Sequence, residues 1–221
     1  MAALLNIDLG ELPDEPDELY ALAQIASVAC GGHAGDRASM QRAAALAARH
    51  GAILAAHPSY PDREHFGRRS LPMTPDELRR SVAEQCAALR LASGTSLQTA
   101  KAHGALYHDL SRDPALAKAF LAGAAEGLAV PASALVILGP PGLAVGEARL
   151  LREGFADRGY DGDGRLLPRG TPGALLQDPT AAATQARHLD ATGSFDTLCV
   201  HGDSPGAIAV ARAVRAALAS S

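Results

Sequence analysis

The chain has 221 residues, 48% of them apolar, and carries 20 lysines and arginines against 24 aspartates and glutamates for a formal net charge of −4. This fits one sizeable globular core, and the absence of any basic run excludes a nucleic-acid surface. No stretch approaches the ~20 apolar residues of a membrane span, and MAALLNIDLGE lacks the basic start of a signal peptide, so the expected compartment is the cytoplasm.

Taken in chain order, short apolar runs fall at Ala3–Asp8, Ser27–Cys30, Ala52–Ala56, Leu97–Ala102, Ala134–Leu138, Gly154–Ala156 and Thr197–Val200. Each has the length of a strand. Helical patterns separate them. Thr74-Pro75 opens one: the threonine caps an orphan amide, proline loses nothing at the first helical position, and Glu77 completes a capping box. Leu78, Val82, Gln85 and Leu89 then recur at helical spacing as a packing stripe. Asp113-Pro114, Asp178-Pro179 and Ser204-Pro205 promise three more helix starts, the last followed by the stripe Ile208, Ala211, Val214 and Leu218. His50 before Gly51 reads as a helix end, where a cation suits the dipole. Between Phe155 and Arg169 the turn residues of GYDGDGRLLPRG predict a hairpin-like excursion. Alternating strand and helix means parallel β with helical crossovers, and the lack of GxGxxG after the first run weighs against a dinucleotide-binding sheet. The expected fold is an irregular α/β barrel, (β/α), of about seven strands, in a single domain over 1–221.

The polar residues cluster by position. Asp8 ends the first run and Glu11 follows it. His33 follows the second, His57 the third, Lys101 and His103 end the fourth, Asp157 and Arg158 follow the sixth, and His201 and Asp203 the seventh. In a parallel barrel every C-terminal strand end opens on one face, so residues distant in sequence converge there. His50, His65, His108 and His188 fall outside this pattern and read as non-catalytic. Cys30, Cys86 and Cys199 have no CxxC spacing and read as buried thiols, with Cys30 a weaker candidate nucleophile. Arg79 and Arg80 read as a solvated helix face. Arg68, Arg69 and Arg169 either clamp an anion or solvate a loop.

Such a set permits proton transfer by histidine oriented by a carboxylate, with His201 and Asp203 the nearest pair in sequence. Lys101 and Arg158 are cations able to hold a phosphate or an oxyanion. Asp8, His33 and His57 are a weak candidate set for a divalent metal. No GxxxxGK[ST] occurs, so ATP, if used, is not held by a Walker loop.

Six segments, in order along nearly the whole chain, resemble the LamB/YcsF family, known as the A subunit of ATP-hydrolysing 5-oxoprolinase. They are NIDLGE at 6–11, ACGGHAGD at 29–36, AAHPSYPDREHFGRR at 55–69, KAHGALY at 101–107, FADRGYDGDGRLLPR at 155–169 and CVHGDSPGA at 199–207. The resemblance implies a barrel of the glycoside hydrolase/deacetylase superfamily. It implies opening of 5-oxoproline to L-glutamate with ATP, Mg as its counter-ion, in a complex with subunits B and C. Under it, Asp8, Glu11, His33, His57, His103, His201 and Asp203 supply catalysis, and Lys101, Gly104, Tyr107, Asp157 and Arg158 bind substrate or phosphate. Three departures stand out. The family's GFH is Gly31-Gly32-His33, which removes an aromatic wall. KPHG is Lys101-Ala102-His103-Gly104, and the loop after Glu11 is short. A stand-alone metal-dependent deacetylase or amidohydrolase, and a non-catalytic binding protein, are the competing readings.

Overall fold

The computed structural model describes residues 2–220. Seven parallel strands close into a barrel in sequence order: β1 (Leu4–Leu9), β2 (Ile25–Ala29), β3 (Ile53–His57), β4 (Thr99–Lys101), β5 (Val136–Gly139), β6 (Arg149–Phe155) and β7 (Thr197–His201). The helices are α1 (Asp17–Leu22), α2 (Arg37–His50), α3 (Pro75–Ser93), α4 (Gly104–Arg112), α5 (Pro114–Leu128), α6 (Pro179–Ala191) and α7 (Ala207–Ala219). The expected barrel and its strand number are therefore present.

The local chemistry explains most boundaries. Thr74 and Glu77 form the reciprocal capping box that starts α3, Asp113 accepts from Ala115 and Leu116 at the start of α5, and Asp178 accepts from Thr180 at the start of α6. Ser204-Pro205 does not behave this way. The amide of Ala207 bonds back to the Ser204 carbonyl at 3.1 Å, Gly206 turns with φ 77°, and α7 begins at Ala207 without a side-chain cap. The chain uses these residues to leave the barrel mouth before it can turn helical.

The sixth strand starts five residues before the apolar run at Gly154. Arg152 pairs outward with Asp196 at 2.9 Å, while Glu153 turns inward and is buried, so charge hides the strand from a hydropathy reading. After β6 the excursion is real. Arg158 bridges Leu175 and Tyr160 bridges Leu166, both antiparallel, and the Arg158 guanidinium ties the segment down by donating to the carbonyls of Leu167 at 2.6 Å and Ala174 at 3.0 Å.

Strand alternation sorts β1 into two faces. Leu5, Ile7 and Leu9 join the main apolar core, while Asn6 and Asp8 point into the lumen, where the Lys101 side chain reaches both. The register sets Asp8 beside His201 and Ser27, and His57 beside Ala29. The predicted polar residues thus stand around one rim.

Candidate functional site

Lys101 occupies the centre of the lumen and is 2% exposed. Its ammonium donates to Asp8 Oδ1 at 2.7 Å, Asn6 Oδ1 at 3.1 Å and Cys199 Sγ at 3.1 Å, and it lies 2.9 Å from Glu153 Oε1. Burial alone would lower the lysine, but the charges around it, Asp8 foremost, hold it well above the usual lysine range. Asp8 feels the converse: burial pushes it up, but His57 and Lys101 outweigh burial and hold it well below the usual carboxylate range. The sequence has Lys101 facing the mouth as a cation able to hold a phosphate or an oxyanion. It sits instead on the floor of the cleft with its charge already shared between two carboxylates.

On the β1–β4 side, four side chains converge. Glu11 Oε1 lies 2.9 Å from His33 Nε2, 3.3 Å from His103 Nδ1 and 3.9 Å from His57 Nε2. His57 Nε2 is also 3.0 Å from His103 Nδ1 and 3.4 Å from Asp8 Oδ2. Burial, then the charges of Asp8, Asp203 and Glu15, push Glu11 well above the usual carboxylate range. Burial first, and neighbouring positive charge second, hold His33 and His103 well below the usual histidine range. This group could hold a metal ion. The trio expected from sequence is thereby revised. His33 and His57 belong to the group with Glu11 and His103, whereas Asp8 stands at its edge, committed to Lys101.

Backbone shape places these rings. Gly104 adopts φ 61°, and a Cβ there would fall 2.4 Å from the Gly67 carbonyl. That contact lets the 58–69 loop lie directly on the start of α4, and it carries Phe66 against His33 and His103, with ring centroids 5.2 and 5.6 Å away. The aromatic wall expected to be lost at Gly32 is thus supplied by Phe66. At Gly32 a Cβ would meet Gln85 Oε1 at 2.3 Å and Ser59 Oγ at 2.5 Å, so a larger side chain would have to displace both. The short loop after Glu11 folds back through Glu15. Its carboxylate accepts from the amides of Gly10 at 2.8 Å and Glu11 at 3.4 Å and from the Tyr20 hydroxyl at 2.6 Å.

On the opposite rim His201 is oriented by Asp157, not by Asp203. Asp157 accepts from the His201 amide at 2.8 Å and contacts Nδ1 at 3.0 Å. Burial raises the Asp157 carboxyl, but His201 lowers it further, leaving it below its usual range. Asp203 instead pairs with Arg68 at 2.6 Å. Sequence proximity favoured Asp203, but the turn after β7 carries it out to the mouth.

Between the two rims lies a cleft of about 600 Å³. Lys101, Arg68, Arg112, Arg158 and Arg169 line it against only two carboxylates, Asp8 and Asp109. Tyr107 also lines it, with a buried hydroxyl beside the Glu153 carboxylate. Both bonded nitrogens of Arg158 are committed to backbone carbonyls, so it holds the segment that carries Arg169. His108 lines the cleft too. Among the remaining histidines, His65 bonds Asp62 at 2.8 Å, and His50 and His188 are exposed on helices. Cys30 is buried, and burial pushes its thiol up to about 12, which suits packing and not nucleophilic attack.

Sequence reasoning missed Glu153, Asn6, Glu15 and Phe66. Glu153 had one available cue, a lone acid directly before an apolar run. Phe66 had none, because its role depends on a positive φ of 55° in a loop.

Fold and site together define a parallel α/β barrel of enzyme type, with ionisable groups gathered at the C-terminal mouth. A carbohydrate esterase of family 4 from Streptomyces lividans shares this fold, with a TM-score of 0.57 at 12% identity over 99% of this chain and 88% of that one. The LamB/YcsF family profile matches residues 4–221, and the chain belongs to that family. A Symbiobacterium thermophilum protein named as the A subunit of 5-oxoprolinase is 40% identical over 240 residues, spanning 97% of this chain and 90% of its own. The crystal structure of a lactam utilization protein from Thermus thermophilus superposes with a TM-score of 0.87 at 34% identity, covering 100% of this chain and 97% of that one. Among the described residues no helix is long and apolar enough to cross a membrane.

Proposed function

We propose that this chain is the A subunit of an ATP-driven 5-oxoprolinase, opening 5-oxo-L-proline to L-glutamate in a cytoplasmic complex with subunits B and C. The kinship with proteins named for that activity supports the reading, and one feature of the site carries it: the cation-lined cleft. The substrate is a carboxylate. Once ATP, with Mg as its counter-ion, has phosphorylated the lactam oxygen, it is also a phosphate ester. A pocket rich in arginine suits both groups.

The residues divide the work. Arg68 and Arg169 clamp the anionic groups, while Lys101 and Asp8 form the polar floor. Among the described residues no carboxylate lies within ion-pair distance of Arg169. His201, with Nδ1 tied to Asp157, presents Nε2 as the proton carrier. It takes a proton from the water that adds to the ring carbon and delivers one to the ring nitrogen as the C–N bond breaks. A second water releases inorganic phosphate. The Glu11, His33, His57 and His103 group forms the opposite wall.

The test mixes the chain with subunits B and C, ATP and 5-oxoproline, and measures glutamate. Glutamate should appear only with all three proteins and should fall sharply with His201→Ala. Equal glutamate without this chain, or full turnover by His201→Ala, refutes the reading.

A further inference from the structure

Arg158 is a buried cation without an anion. It is 5% exposed, and among the described residues no carboxylate lies within ion-pair distance of it. Its chain neighbour Asp157 is taken by His201. The carbonyls of Ala174 and Leu167 accept from Nε and Nη2, which satisfies two of the five N–H groups of a guanidinium. They fix its plane but bring no net charge. Among the described residues Nη1 has no partner, and Arg158 lines the cleft. A buried charge is costly unless a counter-charge meets it, so the spare edge of Arg158 calls for an anion from the cleft.

The surroundings of Arg158 deepen this need. Burial first, and the like charge of Arg169 second, push its guanidinium down from the usual range. His108 and Arg112, both on α4, line the same cleft. The charged groups that act on His108 are Arg112 and Asp109 from its own helix and Arg158 and Arg169 from the excursion after β6. Asp109 is the single anion among them. It accepts from the Tyr60 hydroxyl at 3.0 Å and lies 3.6 Å from Arg112. Three guanidiniums against one carboxylate leave two positive charges uncompensated. A dianion matches that surplus, whereas a carboxylate matches half of it. A phosphoryl group also presents oxygens in enough directions to meet guanidiniums from two different elements.

We propose that Arg112, Arg158, Arg169 and His108 form a subsite for a dianionic phosphoryl group, between α4 and the excursion after β6. The molecule that carries the group rests on the 5-oxoprolinase reading, while the subsite itself does not. The subsite separates the two clamps of the cleft. Arg169 belongs to the phosphoryl group. Arg68, whose charge is shared with Asp203 at 2.6 Å, is left for the carboxylate of the substrate.

His108 links this subsite to protons. Burial, then the charges of Arg112 and Arg158, hold it below the usual histidine range. An entering dianion cancels the field of the guanidiniums, so the ring gains a proton and becomes a further donor. The anion is therefore bound more tightly as pH falls.

Sulfate is the probe, because it remains a dianion throughout the range in which histidine titrates. Calorimetric titration of the full-length chain should show sulfate and inorganic phosphate binding at least about tenfold more tightly than acetate. The double variant Arg112→Gln with Arg169→Gln changes two exposed residues and should weaken sulfate by about 10–100-fold. Arg149→Gln, at the opposite end of the barrel, should bind it as the parent does. Affinity for sulfate should rise from about pH 8 to about pH 6, and His108→Gln should remove most of that rise. His201 lines the same cleft, so the difference between parent and variant is the quantity read. Mg-ATP tells the two carriers apart: displacement of sulfate at least about tenfold tighter than by phosphate assigns the subsite to the nucleotide, and equal displacement assigns it to the activated lactam, both in support of the subsite. Sulfate held no more tightly than acetate, or equally by the parent and the double variant, overturns the proposal, as does a pH dependence that His108→Gln leaves intact. Glutamate formation with subunits B and C is measured alongside. Glutamate without a sulfate site sinks this inference alone, and a sulfate site without glutamate sinks the 5-oxoprolinase reading alone.

Discussion

Lys101→Met keeps most of the stem and deletes the ammonium that sits 2.7 Å from Asp8 and 2.9 Å from Glu153. Removing one partner of a buried pair costs about 3–5 kcal/mol, because the other charge stays buried and unpaired. Here two carboxylates share a single cation, which places the loss at the upper end. Against a total stability of about 5–15 kcal/mol, the variant folds weakly or not at all at neutral pH. The pH dependence gives a sharper test. In the parent, Asp8 is held below its unfolded value, so it contributes stability above that value and loses it as pH falls through the folded one. In the variant, Asp8 keeps His57 but loses the Lys101 charge, so its carboxyl moves up. It then takes up a proton as pH falls and recovers about 1.4 kcal/mol for every tenfold gain in its proton affinity. Urea unfolding followed by circular dichroism between about pH 8 and about pH 5 should therefore show the variant gaining stability relative to the parent. Lys101→Met with Glu153→Gln should recover part of the loss. A single variant within about 1 kcal/mol of the parent, the range of an exposed ion pair, or one that weakens further on acidification, refutes the assignment of Lys101 as the counter-ion of the lumen.

Asp157→Asn removes the charge that orients His201, and glutamate formation by the assembled complex should fall by about 10²–10⁴-fold while the far-ultraviolet circular dichroism stays that of the parent; undiminished turnover would show that His201 carries no proton. Gly104→Ala forces a Cβ against the Gly67 carbonyl at positive φ, and should cost about 1–3 kcal/mol in chemical denaturation; no loss would mean the 58–69 loop yields freely. Arg158→Ala frees the carbonyls of Leu167 and Ala174. Limited proteolysis should then cut the 159–175 segment faster, with barrel unfolding little changed, and an unaltered cleavage rate contradicts the role given to that arginine.

The barrel was legible because its strands are buried on both faces and read as short apolar runs, and because Thr74, Asp113 and Asp178 cap their helices in place. Legibility failed where charge enters the lumen. Asn6 and Glu153 are polar residues in core positions, tolerable because Lys101 bridges them, and no local pattern announces a partner 95 residues away. The rim residues were found from strand ends alone, since parallel topology brings them together whatever their spacing. Their pairing was not, because pairing depends on where loops turn. Asp157 reaches His201 from the neighbouring strand end, while Asp203, two residues on, is carried away to Arg68.

Asp8 joins the two halves of the rim. One oxygen accepts from Lys101 and the other stands 3.4 Å from His57, so the lumen charge and the histidine group cannot be set independently. A carboxylate pulled toward Lys101 is withheld from the histidines, and Glu11 is left as the carboxyl that faces them. The short loop reinforces this division. Glu15 holds the backbone of Gly10 and Glu11 in place and adds its own negative charge to the neighbourhood of Glu11. The contact that fixes the Glu11 backbone therefore also helps to hold the Glu11 carboxyl above its usual range, after burial and the charges of Asp8 and Asp203.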